Sequence, residues 1–225
     1  MFVTIHQPEF MPWAGFFNKI VRTEMIVILD SVKFQKNYFD NRCRIKQDGA
    51  AQWLTVPVQH RDAGLPIESV LICDDRPWEK KAWAALEGNY QEAPFWAEHE
   101  PFLKALFEPG RWKRIVDLNM EFIAYACRYL EIPLNWRYSS ALGVQTKGSQ
   151  LVLDLCKAVG ADSYLSGAFG KGYLDESAFQ AANITLHYQA FYCPEYTQFN
   201  GPYVGPLSIL DMLLNQGRKS RELLA

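Results

Sequence analysis

An α/β fold with a mostly parallel sheet is predicted by three features of this 225-residue chain. The run MIVIL, Met25 to Leu29, is apolar without a break and ends at Asp30, as a strand buried on both faces should be. Strand, loop, helix and strand all fit between Phe2 and Asp30, the footprint of a βαβ unit. After a central stretch of different texture, short strands and helices alternate again to the end of the sequence.

Each element has a local reason. Phe2 to His6 reads as a buried strand with Val3 and Ile5 on one face, and Ala14 to Arg22 as a helix carrying Phe16, Phe17, Ile20 and Val21 at helical spacing. Within 31–75 the chain predicts an inserted antiparallel hairpin, with strands Arg42 to Lys46 and Gln52 to Val58 around a turn at Asp48-Gly49. His60 to Pro66 reads as a loop and Ile67 to Cys73 as a further short strand. The segment 77–132 is helical. One helix begins at Trp78 and a second spans Phe95 to Phe107. A third runs from Trp112 to Leu130, with an apolar stripe of Ile115, Leu118, Phe122, Ala126 and Tyr129, and Pro133 ends it. Strands then follow at 134–139, 163–166 and 184–189, with helices at 149–159, 175–183 and 206–216. No repeat or linker-like composition interrupts the chain, so 1–225 reads as one α/β domain.

Hydrophobic residues make up 49 % of the chain, enough for a packed core. Aromatics reach 14 %, more than a core demands, so some are expected to line a ligand pocket. The formal net charge of −2 gives no electrostatic case for nucleic acid or for an anionic membrane. Cys43, Cys73, Cys127, Cys156 and Cys193 are scattered without CxxC spacing, which fits reduced thiols and predicts no zinc site. MFVTIHQPEF lacks the form of a signal peptide, and no run of about 18 apolar residues occurs, so a soluble cytoplasmic protein is expected. His60, His99 and His187 form no HExxH pattern, and no G-x-S-x-G elbow is present, so no metal site is predicted.

Ligands of open parallel sheets bind beyond the carboxyl ends of the strands. Three stretches fall there: His6 to Gly15, Asp30 with Lys33 and Lys36, and Ser166 to Asp175. His6 is a candidate general acid, base or phosphate-binding group, or a ring that hydrogen-bonds a neighbouring carbonyl. Gln7 would orient a base or substrate carbonyl. Pro8, Pro12 and Gly15 shape the loop, and Trp13 either stacks on a planar or sugar ligand or packs in the core. Asp30 holds Mg²⁺ or a ribose hydroxyl, or caps a turn. Lys33, Lys36, Arg42, Arg44 and Lys46 form a basic stretch, interleaved with aromatics, that suits a few phosphates; the alternation of Arg42, Arg44 and Lys46 equally fits a solvated strand face. In SGAFGKGYLD, Gly167, Gly170 and Gly172 would permit close approach to a phosphate, with Ser166, Lys171 and Tyr173 beside them. The spacing is neither a Walker A loop nor a dinucleotide fingerprint.

The stretches IHQPEFMPWAGFFNKI, WLTVPV, YLSGAFGKGYLD and PEYTQFNGPYVGPLSILDMLLNQG resemble the WbqC-like family over nearly the whole chain. Members are often encoded among bacterial genes for surface polysaccharides and modified sugars, so the resemblance implies amino-sugar or O-antigen metabolism without giving a reaction. The Pro-bearing loop between strand and helix is also similar to the HxGH region of nucleotidyltransferase-type enzymes, which bind ATP. Pro8 and Gly15 match that pattern, whereas Trp13 and Phe16 stand where its two histidines belong. His6 and Lys171 would then take over the phosphate-stabilising work.

The expectation is a Rossmann-like, nucleotidyltransferase-like fold bearing an enzyme that modifies nucleotide-linked amino sugars. In the ligase form, ATP with Mg²⁺ activates an acyl or aminoacyl group. His6, Gln7 and Lys171 act in catalysis, Asp30 orients substrate or Mg²⁺, and Arg42 grips a phosphate. The alternatives are an ATP-independent acyltransferase and a non-catalytic sugar-nucleotide-binding protein.

Overall fold

The computed structural model describes residues 1–59, 62 and 64–225. In chain order the strands are β1 (Phe2–His6), β2 (Met25–Ile28), β3 (Arg42–Gln47), β4 (Ala50–Thr55), β5 (Trp136–Tyr138), β6 (Ser163–Ser166) and β7 (Thr185–Tyr188). The helices are α1 (Ala14–Val21), α2 (Trp78–Tyr90), α3 (Trp96–Leu106), α4 (Ile115–Tyr129), α5 (Gly148–Ala158), α6 (Glu176–Ala181) and α7 (Ile209–Gln216). Five strands form one parallel sheet in the order β5-β2-β1-β6-β7, and β3 pairs with β4 in a separate antiparallel hairpin. This is the α/β, Rossmann-like architecture expected from the sequence.

The chain winds outward from β1 through β2 to β5, then crosses back to β6 and β7 on the other side of β1. Winding reverses between β1 and β6, and a crevice opens at their carboxyl ends. Alternation along the strands divides the core into two layers. Val3, Ile5 and Val27 pack with Leu151, Leu155, Tyr164 and Phe179 on the α5 and α6 side. Ile26 and Ile28 face the larger layer, with Phe16 and Phe17 of α1 and the buried faces of α2, α3, α4 and α7.

The hairpin turns at Asp48 and Gly49, both with positive φ (50° and 73°). Such a two-residue turn matches the twist of the flanking strands and favours Asp-Gly. Helix α6 begins after Asp175, whose carboxylate accepts from the Ala178 N–H (3.2 Å). Ser208 caps α7 through its hydroxyl, 3.2 Å from the Leu210 nitrogen.

Residues 67–73 do not form the expected strand. Ile67–Ser69 is a 3-10 turn, and the residues beyond it are held one at a time. Ile72 N–H donates to Lys113, Ile115 N–H to the Val70 carbonyl, and Cys73 N–H to the Pro57 carbonyl. Burial of Ile67, Val70 and Ile72 explains their apolar spacing without a ladder. Lys46 also departs from a solvated face: it is fully buried, with Nζ donating to the Pro202 carbonyl (2.7 Å). The loop expected at 60–66 lies partly outside the described residues, His60 included.

Candidate functional site

β1 ends at His6, and the loop that follows is pinned from several elements. Phe10 N–H donates to the Phe39 carbonyl, and Ile209 N–H to the Pro12 carbonyl, each at 2.8 Å. Asn119 on α4 donates its amide to the carbonyls of Pro8 (2.6 Å) and Asp40 (2.7 Å). Met11 sits buried with φ 45°, an uncommon conformation for its residue type. Gly15 is required by contact, since a Cβ there would lie 2.1 Å from the Trp13 ring. The indole therefore lies against the helix and reaches Phe191, with ring centroids 5.9 Å apart.

A cavity of about 490 Å³ opens between this loop and the turn after β6. His6, Glu9, Trp13, Gly15 and Lys19 line one side, and Gly167, Ala168 and Phe169 approach from β6. Tyr38, Phe39, Cys43 and Arg44 arrive from the hairpin region. Gln189, Phe191 and 206–208 close it from the segment between β7 and α7. Gln189 ties β7 to α1 by donating to the Gly15 carbonyl (2.8 Å) and to Asn18 Oδ1 (2.6 Å). Aromatic side chains form much of the wall, and His6, Glu9 and Lys19 are among the titratable groups that line it.

His6 Nδ1 lies 3.1 Å from the Gln7 carbonyl oxygen. A neutral ring there carries its proton on Nδ1 and leaves Nε2 with a free lone pair. Burial, with the nearby Lys19 charge, holds the imidazole well below its ordinary pKa, so it is neutral at pH 7. Glu9 Oε1 stands 3.8 Å from His6 Nδ1, while Glu9 Oε2 is buried with no hydrogen-bond partner among the described residues. Burial raises the Glu9 carboxyl to about 8, against the pull of Lys19. Lys19 is 2 % exposed, and burial lowers its ammonium to about 7. Its Nζ has no hydrogen-bond or ion-pair partner among the described residues. Burial thus favours the uncharged form of an imidazole, a carboxyl and an amine that line one cavity.

Of the residues named from the sequence, His6, Pro12, Trp13, Gly15, Arg44 and Gly167 line the cavity. Gln7 supplies only its carbonyl to His6, and Pro8 is buried beneath the loop. Ser166 donates to the Gly167 carbonyl (3.1 Å), and Gly170 packs so tightly that a Cβ would stand 1.9 Å from Ser166 Oγ. Asp30 lies outside the lining. Its carboxylate accepts from Ser139 Oγ (2.9 Å), Ser140 N (2.9 Å) and Ser140 Oγ (2.7 Å), joining β2 to the turn after β5. Lys33 and Lys36 are exposed and outside the lining, as are Lys171, over the Tyr188 ring at 5.2 Å, and Tyr173. Arg42 stacks its guanidinium on Trp53, 3.9 Å from the ring centroid; Arg44, two residues on, lines the cavity instead.

Sequence reasoning passed over Glu9, Lys19 and Gln189, and named Arg44 only within the basic stretch. A signal for Lys19 was present. Every residue of α1 from Ala14 to Ile20 is buried, and a lysine in a helix apolar on all sides has no solvated face to occupy. Gly15 and Lys19, four apart, also share one helix face. No group of three or more His, Cys, Asp or Glu among the described residues is arranged to hold a metal ion. No helix among them is long and apolar enough to cross a membrane.

The profile of the WbqC-like protein family matches residues 7–223, and the chain belongs to that family. A Mycobacterium tuberculosis protein named uncharacterized protein Rv1507c is 30 % identical over 229 residues, covering 99 % of this chain and 96 % of that one. No solved structure matches the chain.

Proposed function

With that membership as premise, we propose that the protein is an enzyme that transfers an acyl-type group to the amine of a sugar nucleotide. The observation that carries this reading is the meeting of His6, Glu9 and Lys19 in one aromatic-walled cavity at the switch point of the sheet. Trp13, Tyr38 and Phe191 offer faces to a sugar or base, and Arg44 offers a bidentate partner for a phosphate. His6 Nε2 takes the proton that the attacking amine must lose. The Glu9 carboxyl, protonated near pH 7, donates to the oxygen on which negative charge grows or to the leaving group.

An ATP-dependent first step draws no support from the residues expected to serve it. Asp30 has its oxygens engaged by Ser139 and Ser140, and Lys171 stands outside the cavity. The donor-activated transferase is therefore the preferred form of the reading.

Thermal unfolding in the presence of amino-sugar nucleotides, and separately of MgATP, tests it. A ligand held at 100 times its Kd stabilises the native state by about 2.7 kcal/mol, which a midpoint shift would register. A rise with an amino-sugar nucleotide is the expected result, and His6→Gln should then lower turnover about 100-fold or more with unfolding unchanged. A shift with MgATP alone would restore the ligase, and no shift with either would sink the sugar-nucleotide reading.

A further inference from the structure

The acid–base chemistry proposed for His6 and Glu9 leaves two buried titratable groups of the cavity, Cys43 and Lys19, without work. Lys19 lines the cavity from the buried stretch Ala14 to Ile20 of α1, four residues beyond Gly15. It makes no ion pair or side-chain hydrogen bond among the described residues, although Glu9 lines the same cavity. A lysine that served only to neutralise Glu9 would be expected to contact it directly. Lys19 instead lines the open volume, and one oxygen of Glu9, which lines the same cavity, also lacks a partner among the described residues. Imine formation requires an amine with an available lone pair, a nearby proton donor, walls that limit water, and room for a carbonyl compound. The cavity supplies all four.

We propose that Lys19 is a nucleophilic amine that forms an imine with an aldehyde or ketone ligand in this cavity. The Nζ lone pair forms the C–N bond as the carbonyl π pair moves to oxygen, which takes the proton of Glu9. The ammonium so formed returns a proton to the Glu9 carboxylate. Glu9 then protonates the hydroxyl, which leaves as water, and the iminium gives its remaining proton to Glu9. Amine and carbonyl have become imine and water, with Glu9 restored. The low basicity that burial imposes on Lys19 keeps a large share of it neutral at pH 7, where an exposed lysine is almost wholly charged.

Reductive alkylation of the intact chain tests this without a known substrate. The protein is treated at pH 7 with propanal and sodium cyanoborohydride, digested, and mapped by mass spectrometry, with exposed Lys33, Lys36 and Lys171 as internal standards. Lys19 should be propylated about tenfold faster than any of the three. Its rate should level off above pH 7 while theirs climb toward pH 10. Labelling of Lys19 no faster than the standards, or a rate that climbs with theirs, would overturn the proposal. In Glu9→Gln the Lys19 rate should fall several-fold, and an unchanged rate would remove Glu9 as the proton donor. The probe contains no sugar or nucleotide, so a failure of the sugar-nucleotide reading leaves this outcome to stand or fall by itself.

Discussion

Two buried carboxylates in this protein are treated in opposite ways. Asp211 on α7 is 1 % exposed and accepts from Tyr90 Oη (2.9 Å), Tyr196 Oη (2.7 Å) and Gln198 Nε2 (2.9 Å). Gln198 Oε1 in turn receives the Val204 N–H, and Tyr90 Oη receives the Lys46 N–H. The cluster therefore fastens the segment between β7 and α7 to α2 and the hairpin. Glu9 is 6 % exposed and leaves one oxygen with no partner among the described residues. Other buried atoms share that condition, Asp40 Oδ1 and Asn119 Oδ1 among them, but of these only Glu9 lines the cavity. A satisfied buried charge specifies structure, whereas an unsatisfied one beside a cavity holds capacity for a ligand.

The contrast breaks most visibly at Asp211. Asp211→Asn keeps one acceptor oxygen for Tyr196 and Gln198 but replaces the oxygen that receives Tyr90 Oη with an amide donor, and should lower stability by about 2 kcal/mol in denaturant unfolding. A loss below about 1 kcal/mol would remove the structural role. The same carboxyl-to-amide change at Glu9 should act with the opposite sign. Folded Glu9 keeps its proton at pH values where the unfolded chain has released it, so its contribution to stability falls as pH rises from 4.5 to about 8. That fall amounts to at most about 1.4 kcal/mol per pH unit. Glu9→Gln should therefore match the parent protein at pH 5 and exceed it at pH 8 in thermal or denaturant melts. Equal pH profiles for the two proteins would show that Glu9 is ionised in the fold.

Smaller effects sharpen the picture around the cavity. Gly15→Ala drives a methyl into the Trp13 ring and Gly170→Ala drives one into Ser166, so each should cost about 1–3 kcal/mol. Gly167→Ala meets nothing within 4 Å and should change stability by less than about 0.5 kcal/mol while narrowing the cavity. Lys171→Ala should be the quietest, within about 0.5 kcal/mol in stability and without effect on ligand-induced thermal shifts. A lost ligand shift in that variant would bring Lys171 back into the site.

The parallel sheet was legible because MIVIL and the flanking βαβ unit carry their own pattern, and sheet winding then brings the ends of β1 and β6 together. His6, Trp13, Gly15 and Gly167 were expected at that edge on that ground, and all four line the cavity. Residues 67–73 were misread because apolar burial in single backbone bridges imitates the spacing of a strand. Asp30 and Lys171 occupy the right edge of the sheet, but local partners decide their state: two serines for one, the Tyr188 ring for the other. Glu9 escaped notice, and Arg44 was named without being singled out, because charged residues in a loop and on an inserted hairpin read as solvated until tertiary packing encloses them.

The segment between β7 and α7 has a consequence for the order in which the molecule is made. β1 emerges first from the ribosome, yet its partner β6 begins at Ser163 and the last wall of the cavity comes from 206–208. A nascent chain halted near residue 190 holds His6, Glu9 and Lys19 but neither Phe191 nor the α7 residue that anchors the closing segment. Contacts between such distant parts of a chain form late and slowly. The reactive side chains are thus synthesised long before the enclosure that gives them their chemistry, and a stalled or truncated product would carry them in ordinary, water-exposed form.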